Sequence, residues 1–456
     1  MRKNVVVVGA GINGIVFANL MANKGYKVRL IETEQNIGGN FKSISIEGNK
    51  FDRGLFIPQM TGQNELDDIL IKKQNVNVRF GVKKDIAGCV YKKTLNRKSI
   101  FVDISKQKKL AQKIYYEMTE RYGVQSTITR SCKDYFKNRF GNTAFQKIFK
   151  NIIQNILNTK ISDYDVAALK VFHLSRLIFF KDDVSQNIKS NRFYNDRVAY
   201  PNQMKIPKKF IQDKTPSFYP KNYGLYHLIS GLASQLINRG VEVHTETKIN
   251  KINIIKGMIN DIEVEVKNQK FNFKVDQLIW CANTYALNDL LDINSNVLLH
   301  QDPPIHQQIS YIITSTKPNA GNTYWLWDYD NNPVMRLSFP HNFSHLNLKG
   351  NYVIILEHSI NFNKKNILDY LTSRKILKKE NIISIHSPKE ARRFYFNFTM
   401  NNIQKDADFI EIVENLELKN LNLCSAKVSR NIFYLHDLLL DGYEQLKKNG
   451  VLNAYH

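Results

Sequence analysis

Three glycines, set as Gly9-Ala10-Gly11-Ile12-Asn13-Gly14, follow four valines at 5–8, and that order suits the binding of a pyrophosphate. Gly9 permits a tight strand-to-helix turn, Gly11 lets the backbone approach two phosphates, and Gly14 lets the helix lie close on the sheet. The N–H groups opening that helix face the phosphates, whose charge the helix dipole favours. Glu32 closes a second strand-like run eighteen residues past Gly14, where a carboxylate accepts from ribose hydroxyls and repels a 2′-phosphate. The doublet Gly38-Gly39 and then Asn40 come next. A dinucleotide site is expected, with NADP disfavoured, and the turn alone does not choose between NAD and FAD.

Other residues have types that suit chemistry but no such spacing. His436 stands beside Asp437 and could act as a general base near neutral pH, against the alternative of a structural donor. Arg336 lies in the strand-like Pro333-Val-Met-Arg336-Leu-Ser-Phe; its planar fork suits a phosphate or carboxylate, against the alternative of an exposed strand arginine. Tyr324 and Trp327 could stack a base or sugar, although aromatic residues on strands more often belong to cores. Cys89, Cys132, Cys281 and Cys424 lie far apart in no CxxC spacing, so no metal or disulfide framework is expected and a reducing compartment fits.

The elements that must position these groups follow from periodicity. Ile15, Phe17, Ala18, Leu20 and Met21 have helical spacing and Asn23-Lys24-Gly25 stops them. Residues 110–122 and 143–157 read as helices separated by Arg139-Phe-Gly-Asn142. A helix through Leu228, Leu232 and Leu236 ends at Gly240, and strands follow at 241–245, 249–255, 259–266, 271–274 and 277–282. Residues 303–315, 324–339 and 351–357 are strand-rich, and 421–448 reads as strand, short loop, helix.

Beyond the first turn, Ile37-Gly38-Gly39-Asn40 with Phe51-Asp52-Arg53-Gly54 resembles the second signature of FAD proteins of the glutathione reductase superfamily. The segment from Tyr219-Pro-Lys-Asn-Tyr-Gly224 to Ile249 resembles that superfamily's second FAD strip, which implies an adenine-side backbone contact at Ile249. Arg430 to Asp437 resembles the closing loop of the UDP-galactopyranose mutase-like and protoporphyrinogen oxidase-like branch, related to the flavin amine oxidases. Ser429 stands there in place of the usual Gly, and the loop is shorter.

The resemblance implies an α/β chain: a Rossmann-like FAD-binding domain, with a parallel sheet and a β-meander, plus an α+β substrate domain with a mixed sheet and a helical subdomain. The segments would be 1–75, 216–290 and 419–456 for the FAD-binding domain, 76–215 for a basic helical substrate region and 291–418 for the substrate sheet. It implies FAD, held by Gly9, Gly11, Ile12, Asn13, Gly14, Glu32, Gly38, Gly39, Asn40, Ile249, Arg430 and Asp437. It is non-covalent by default, because no Cys or His lies in a recognised attachment motif. It places Arg336 in a substrate cleft with Tyr324, Trp327 and Arg430, and His436 beside it. The implied activity is that of an FAD-dependent oxidoreductase or mutase acting on an anionic, nucleotide-linked sugar or glycan precursor of surface polysaccharide. The alternatives are an amine oxidase or desaturase on a lipophilic substrate and a non-catalytic FAD-fold binding protein.

Composition bounds the partners. At 456 residues two or three domains are expected, and a 43% hydrophobic share excludes a wholly disordered chain. The net charge is +24, and residues 72–221 carry 32 Lys plus Arg against 11 Asp plus Glu. Such a surface attracts anions: a small anionic substrate or phospholipid headgroups, against the alternative of a solvated lysine-rich face. Nucleic acid is not expected, since no RNA-binding signature is present. No apolar run approaches twenty residues, so the expected location is the cytoplasm or the periphery of the inner membrane. Oligomeric state is not legible.

Overall fold

The four valines form β1 (Asn4–Val8), the apolar run after the glycine turn forms α1 (Ile12–Asn23), and β2 (Lys27–Ile31) follows, as the periodicity predicts. The computed structural model describes residues 2–72, 80–82, 87–123, 129–157, 160–206, 216–293, 297, 301–330, 333–346 and 348–452. The chain divides into two compact units: Met1–Lys83 with Thr215–Gln301 and Gln404–His456, and Lys84–Lys214 with Asp302–Ile403. Residues 404–418 therefore belong with the first unit and not with the mixed sheet.

The first unit is built on a five-stranded parallel sheet in the order Glu242–His244, β2, β1, Gln277–Trp280, Leu421–Leu423. β1 at its centre is buried on both faces, which is why it reads as an unbroken valine run. Helix α1 is apolar all round, because it is wedged between the sheet, helix α2 (Leu225–Asn238) and helix α3 (Leu435–Lys448). Its buried Asn19 donates its amide to Ile15 O at 3.0 Å and Leu232 O at 3.3 Å. A Cβ on Gly442 of α3 would stand 2.5 Å from Phe17 Cζ, so that glycine sets how closely α3 packs on α1. A three-stranded antiparallel meander, Thr247–Ile255, Met258–Val266 and Gln269–Lys274, closes a core with Val6, Ile31, Leu278, Trp280 and Phe409.

The second unit carries a mixed sheet in the order Ile382–His386, Ile305–Thr314, Tyr352–His358, Val334–Ser338, Trp325–Asp328, Ala87–Tyr91, Thr94–Asn96, with Arg393–Tyr395 paired to the start of Ile305–Thr314. Among the described residues its one parallel pair is Trp325–Asp328 with Ala87–Tyr91. One face, with Ile312, Leu326, Leu337 and Leu356, packs on Ile367 and Leu371 of the helix Lys364–Ser373. Register puts Cys89, Trp327, Arg336 and Glu357 together on the other. The helical part holds Lys108–Thr119, Cys132–Phe140 and Lys150–Leu157, with a π turn at Phe145–Phe149 where a single helix was expected. Phe136 stacks on Phe149 with centroids 4.0 Å apart. Among the described residues no helix is long and apolar enough to cross a membrane.

Candidate functional site

The glycine turn is built as its spacing requires. Gly9 has φ +92°, its N–H donates to Ile31 O at 2.8 Å, and a Cβ there would stand 2.8 Å from the Ala282 backbone N. A Cβ on Gly14 would lie 1.9 Å from Gly9 O, so only glycine lets the first turn of α1 reach the sheet. Gly11 is the helix N-cap, and no acidic side chain lies in the first turn to compete for an anion. Gly38 donates its N–H to Ala10 O at 2.7 Å, and a Cβ on Gly39 would approach Gly11 Cα to 3.1 Å. The doublet thus seals the side of the turn, while Asn40 is exposed to solvent.

Glu32 is fixed before any ligand arrives. Its Oε2 accepts the Ala10 N–H at 2.9 Å and its Oε1 the Glu34 N–H at 3.0 Å. Oε1 also accepts the Thr33 hydroxyl at 3.3 Å, so Oε2 is the oxygen that keeps a further lone pair for a ribose hydroxyl. A cavity of about 600 Å³ opens beside it, lined by Gly9, Gly11, Glu32, Thr247, Ile249 and Ala282, among others. Pyrophosphate turn, ribose carboxylate and the strand edge at Ile249 thus meet in one concavity of the first unit, which fits a dinucleotide.

The remaining cofactor candidates take structural places. Ile12 is buried, and Asn13 turns its amide to Cys424 O at 2.9 Å, tying the turn to the strand Leu421–Leu423. Asp437 accepts the Tyr434 N–H at 3.2 Å at the start of α3 and lies 3.3 Å from His436 Nε2. Arg430 lays its fork on Glu414 with Nη1 to Oε1 at 2.8 Å and Nη2 to Oε2 at 2.6 Å, on a half-exposed surface, and does not line the cavity. The basic residue that the closing loop buries is Lys427, which sequence reasoning passed over. It is wholly enclosed, pairs with Asp441 and donates to Leu423 O at 3.2 Å. Its own backbone closes the loop by exchanging hydrogen bonds with Ile432 at 2.9 and 3.1 Å.

The substrate candidates lie in the second unit. Tyr324 and Trp327 are buried, Trp327 among Phe172, Trp325 and Tyr329. Arg336 lies 5.5 Å over the Trp327 ring, but its charge is taken by the buried Glu357. His173, half-buried beside Trp325, is pushed down to about 4 by desolvation and by Arg336, so it is neutral at pH 7. A second cluster went unnoticed in the sequence because its members are spread over 58 residues. Arg139 donates to Ser175 O at 2.9 Å, Arg176 to Asn195 O at 3.0 Å, Arg197 to Arg139 O at 3.2 Å, and the buried Lys189 to Asn195 O and Val198 O at 2.8 and 2.6 Å. These partners are neutral carbonyls, and Asp196 is the acid felt by Arg176, Lys189 and Arg197. Burial and the neighbouring Arg176 push Lys189 down to about 7; burial and Arg139 push Arg197 down to about 10. The cluster is short of negative charge.

Residues 7–70 match the model of the NAD(P)-binding Rossmann-like domain. The chain is 37% identical over 94 residues to phytoene desaturase of Fusarium fujikuroi, covering 18% of this chain and 16% of that protein. It is 47% identical over 39 residues to a probable UDP-galactopyranose mutase of Klebsiella pneumoniae, covering 9% and 10%. The matched stretches therefore span under a fifth of either relative's length. Its structure is similar to that of reduced UDP-galactopyranose mutase, with a TM-score of 0.71 and 13% identity over 100% of this chain and 98% of the other. The fold is that of reduced UDP-galactopyranose mutase. At 13% identity that likeness speaks for architecture, and the discontinuous cofactor domain with its mixed-sheet companion matches the resemblance read from the sequence.

Proposed function

We propose that the chain is an FAD-dependent enzyme, of the oxidoreductase or mutase type, that acts on an anionic, nucleotide-linked sugar or glycan precursor. Gly9, Gly11 and Gly14 would hold the pyrophosphate of a non-covalent FAD, Glu32 the ribose and Ile249 the adenine side. When bound, the flavin supplies hydride acceptance or, once reduced, a nucleophilic ring nitrogen. The protein's part is to bind and orient the substrate and to exclude water around it.

The observation that carries the anionic substrate is the cluster of Arg139, Arg176, Lys189 and Arg197, which donate to backbone carbonyls. Guanidinium groups held by neutral carbonyls retain their charge for a diphosphate, and the planar fork suits its paired oxygens. This moves the anion role away from Arg336, which Glu357 neutralises.

Titration with UDP-, CMP- and GDP-sugars, followed by flavin absorbance and melting temperature, tests the reading. A ligand at a hundred times its dissociation constant should stabilise by about 2.7 kcal/mol, and Arg176→Ala should abolish the shift. If none of the three sugars moves either signal, the nucleotide-sugar reading fails. A colourless protein that takes up no added FAD overturns the flavoenzyme reading as well.

A lipophilic substrate is the second reading, supported by the stretch similar to phytoene desaturase and by the aromatic surroundings of Arg336. It predicts flavin reduction by an apolar amine or polyene and indifference to nucleotide sugars.

A further inference from the structure

We propose that the outer face of the helix Lys108–Thr119 docks on an anionic lipid surface, a role independent of which substrate the enzyme takes. The inner face of this helix buries Ala111, Ile114 and Met118. The opposite face exposes Lys109, Gln112, Lys113 and Tyr116 at the three- and four-residue spacing that aligns side chains in one row. Lys106 and Lys108 are exposed at its start. The acid within the helix, Glu117, does not offset the row, because its carboxylate turns inward to accept the Thr143 N–H at 2.8 Å and the Thr143 hydroxyl. Of the exposed charged residues in 120–123 and 181–192, Glu120 and Asp183 are balanced by Lys181 and Arg192.

The aromatic residues favour lipid over other polyanions. Tyr116 is 65% exposed and Tyr122 57%. Tyr122 is steadied by Phe193 at 5.2 Å and by the Asn191 amide, which donates to its hydroxyl at 3.1 Å. Two tyrosines at the C-terminal end of a lysine row match the headgroup level of a membrane, where one end of the ring is wet and the other apolar. The row is lysine, whose compact charge suits a diffuse anionic surface, with no guanidinium fork to read a nucleic acid. Because the apolar face is already buried in the protein, docking is electrostatic and peripheral.

Co-sedimentation of the full chain with vesicles of phosphatidylcholine alone, and of phosphatidylcholine with phosphatidylglycerol, tests this. Binding is expected only to the second, with release at about 1 M salt, where screening shrinks to about 3 Å. Lys109→Glu with Lys113→Glu should weaken it by about 30-fold or more, the factor for two lysines at about 1 kcal/mol each. The milder pair Lys109→Gln and Lys113→Gln, with an unchanged melting temperature, guards against misfolding. Tyr116→Ser should weaken vesicle binding and leave binding to an RNA oligonucleotide unaltered. Equal binding to both vesicles, indifference to the lysine changes, or RNA binding without vesicle binding overturns the proposal.

Discussion

Arg336 and Glu357, neighbours across the strands Val334–Ser338 and Tyr352–His358, form a forked ion pair in which Nε and Nη2 donate to Oε1 at 3.0 and 2.7 Å and Nη2 also reaches Oε2 at 2.8 Å. Tyr395 donates its hydroxyl to the same Oε2 at 2.8 Å. Glu357 is 1% exposed, so its charge is tolerable only while these donors hold it. Arg336→Ala should therefore cost about 3 kcal/mol of unfolding free energy, the low end for a broken buried pair because Arg393 Nη1 stays 4.0 Å from Oε2, and Arg336→Ala with Glu357→Ala should cost less than the sum of the two single changes. Urea unfolding of the two single variants and the double variant decides it. Additive losses would mean that the pair is not coupled.

The glycine turn makes a sharper prediction. Gly14→Ala drives a methyl into Gly9 O, at a point where backbone must move, and should cost about 3 kcal/mol and remove bound flavin. Gly25→Ala is the control: nothing stands within 4 Å of a Cβ there, and its φ of +84° makes the cost one of local strain, about 1 kcal/mol. Flavin absorbance per polypeptide should be lost in the first variant and kept in the second. Equal retention would remove Gly14 from the site.

Asp52 links the second signature to helix α2. It accepts the Leu225 N–H at 2.9 Å and the Tyr219 hydroxyl, and burial still pushes its carboxyl up to about 6. A group whose folded value exceeds its unfolded one binds a proton more readily in the folded state, so its contribution to stability grows as pH falls through 6 and levels off near 4. Between pH 7 and pH 5 the wild type should thus gain about 1.5 kcal/mol relative to Asp52→Asn. Using the variant as reference cancels the opposite trend of the half-buried His173 and His341 and the buried His358, each pushed down to about 4, which lose stability as pH falls below 6.5. A pH-independent difference would show that Asp52 is not the titrating group.

The parts legible in the sequence are those fixed by short-range covalent geometry. Gly9, Gly14 and Glu32 could be read because a turn, a close approach and a strand end lie within one βαβ unit. Glu357 was not seen as the partner of Arg336, since the pairing depends on strand register between residues 21 apart. The cation cluster around Lys189 stayed hidden for a related reason. Its region is made of short turns such as Ile161–Asp163 and Val166–Lys170 and the two-residue strand Leu177–Ile178, whose partner is Val102–Asp103, so no periodicity marks it.

Arg430 and Lys427 show how three residues decide a role. Both are basic and both lie in the closing loop, but Asn431 takes a left-handed turn with φ 60° and the backbone folds back between Lys427 and Ile432. That turn leaves Arg430 at the surface and encloses Lys427 beside Asp441, whose side chain is 24% exposed. The pair is asymmetric, because water can reach the acid once its partner is gone, whereas the lysine is sealed. Asp441→Ala should then be the costlier change, about 3–5 kcal/mol for a stranded buried cation, with Lys427→Met milder. Arg430→Ala, which breaks a half-exposed pair with Glu414, should cost at most about 1 kcal/mol. Since Asn13 hangs on Cys424 O at the base of the same loop, flavin retention should follow the same order. Thermal melts and flavin content of the three variants check both rankings, and a larger loss from Arg430→Ala than from Asp441→Ala would return the cofactor role to Arg430.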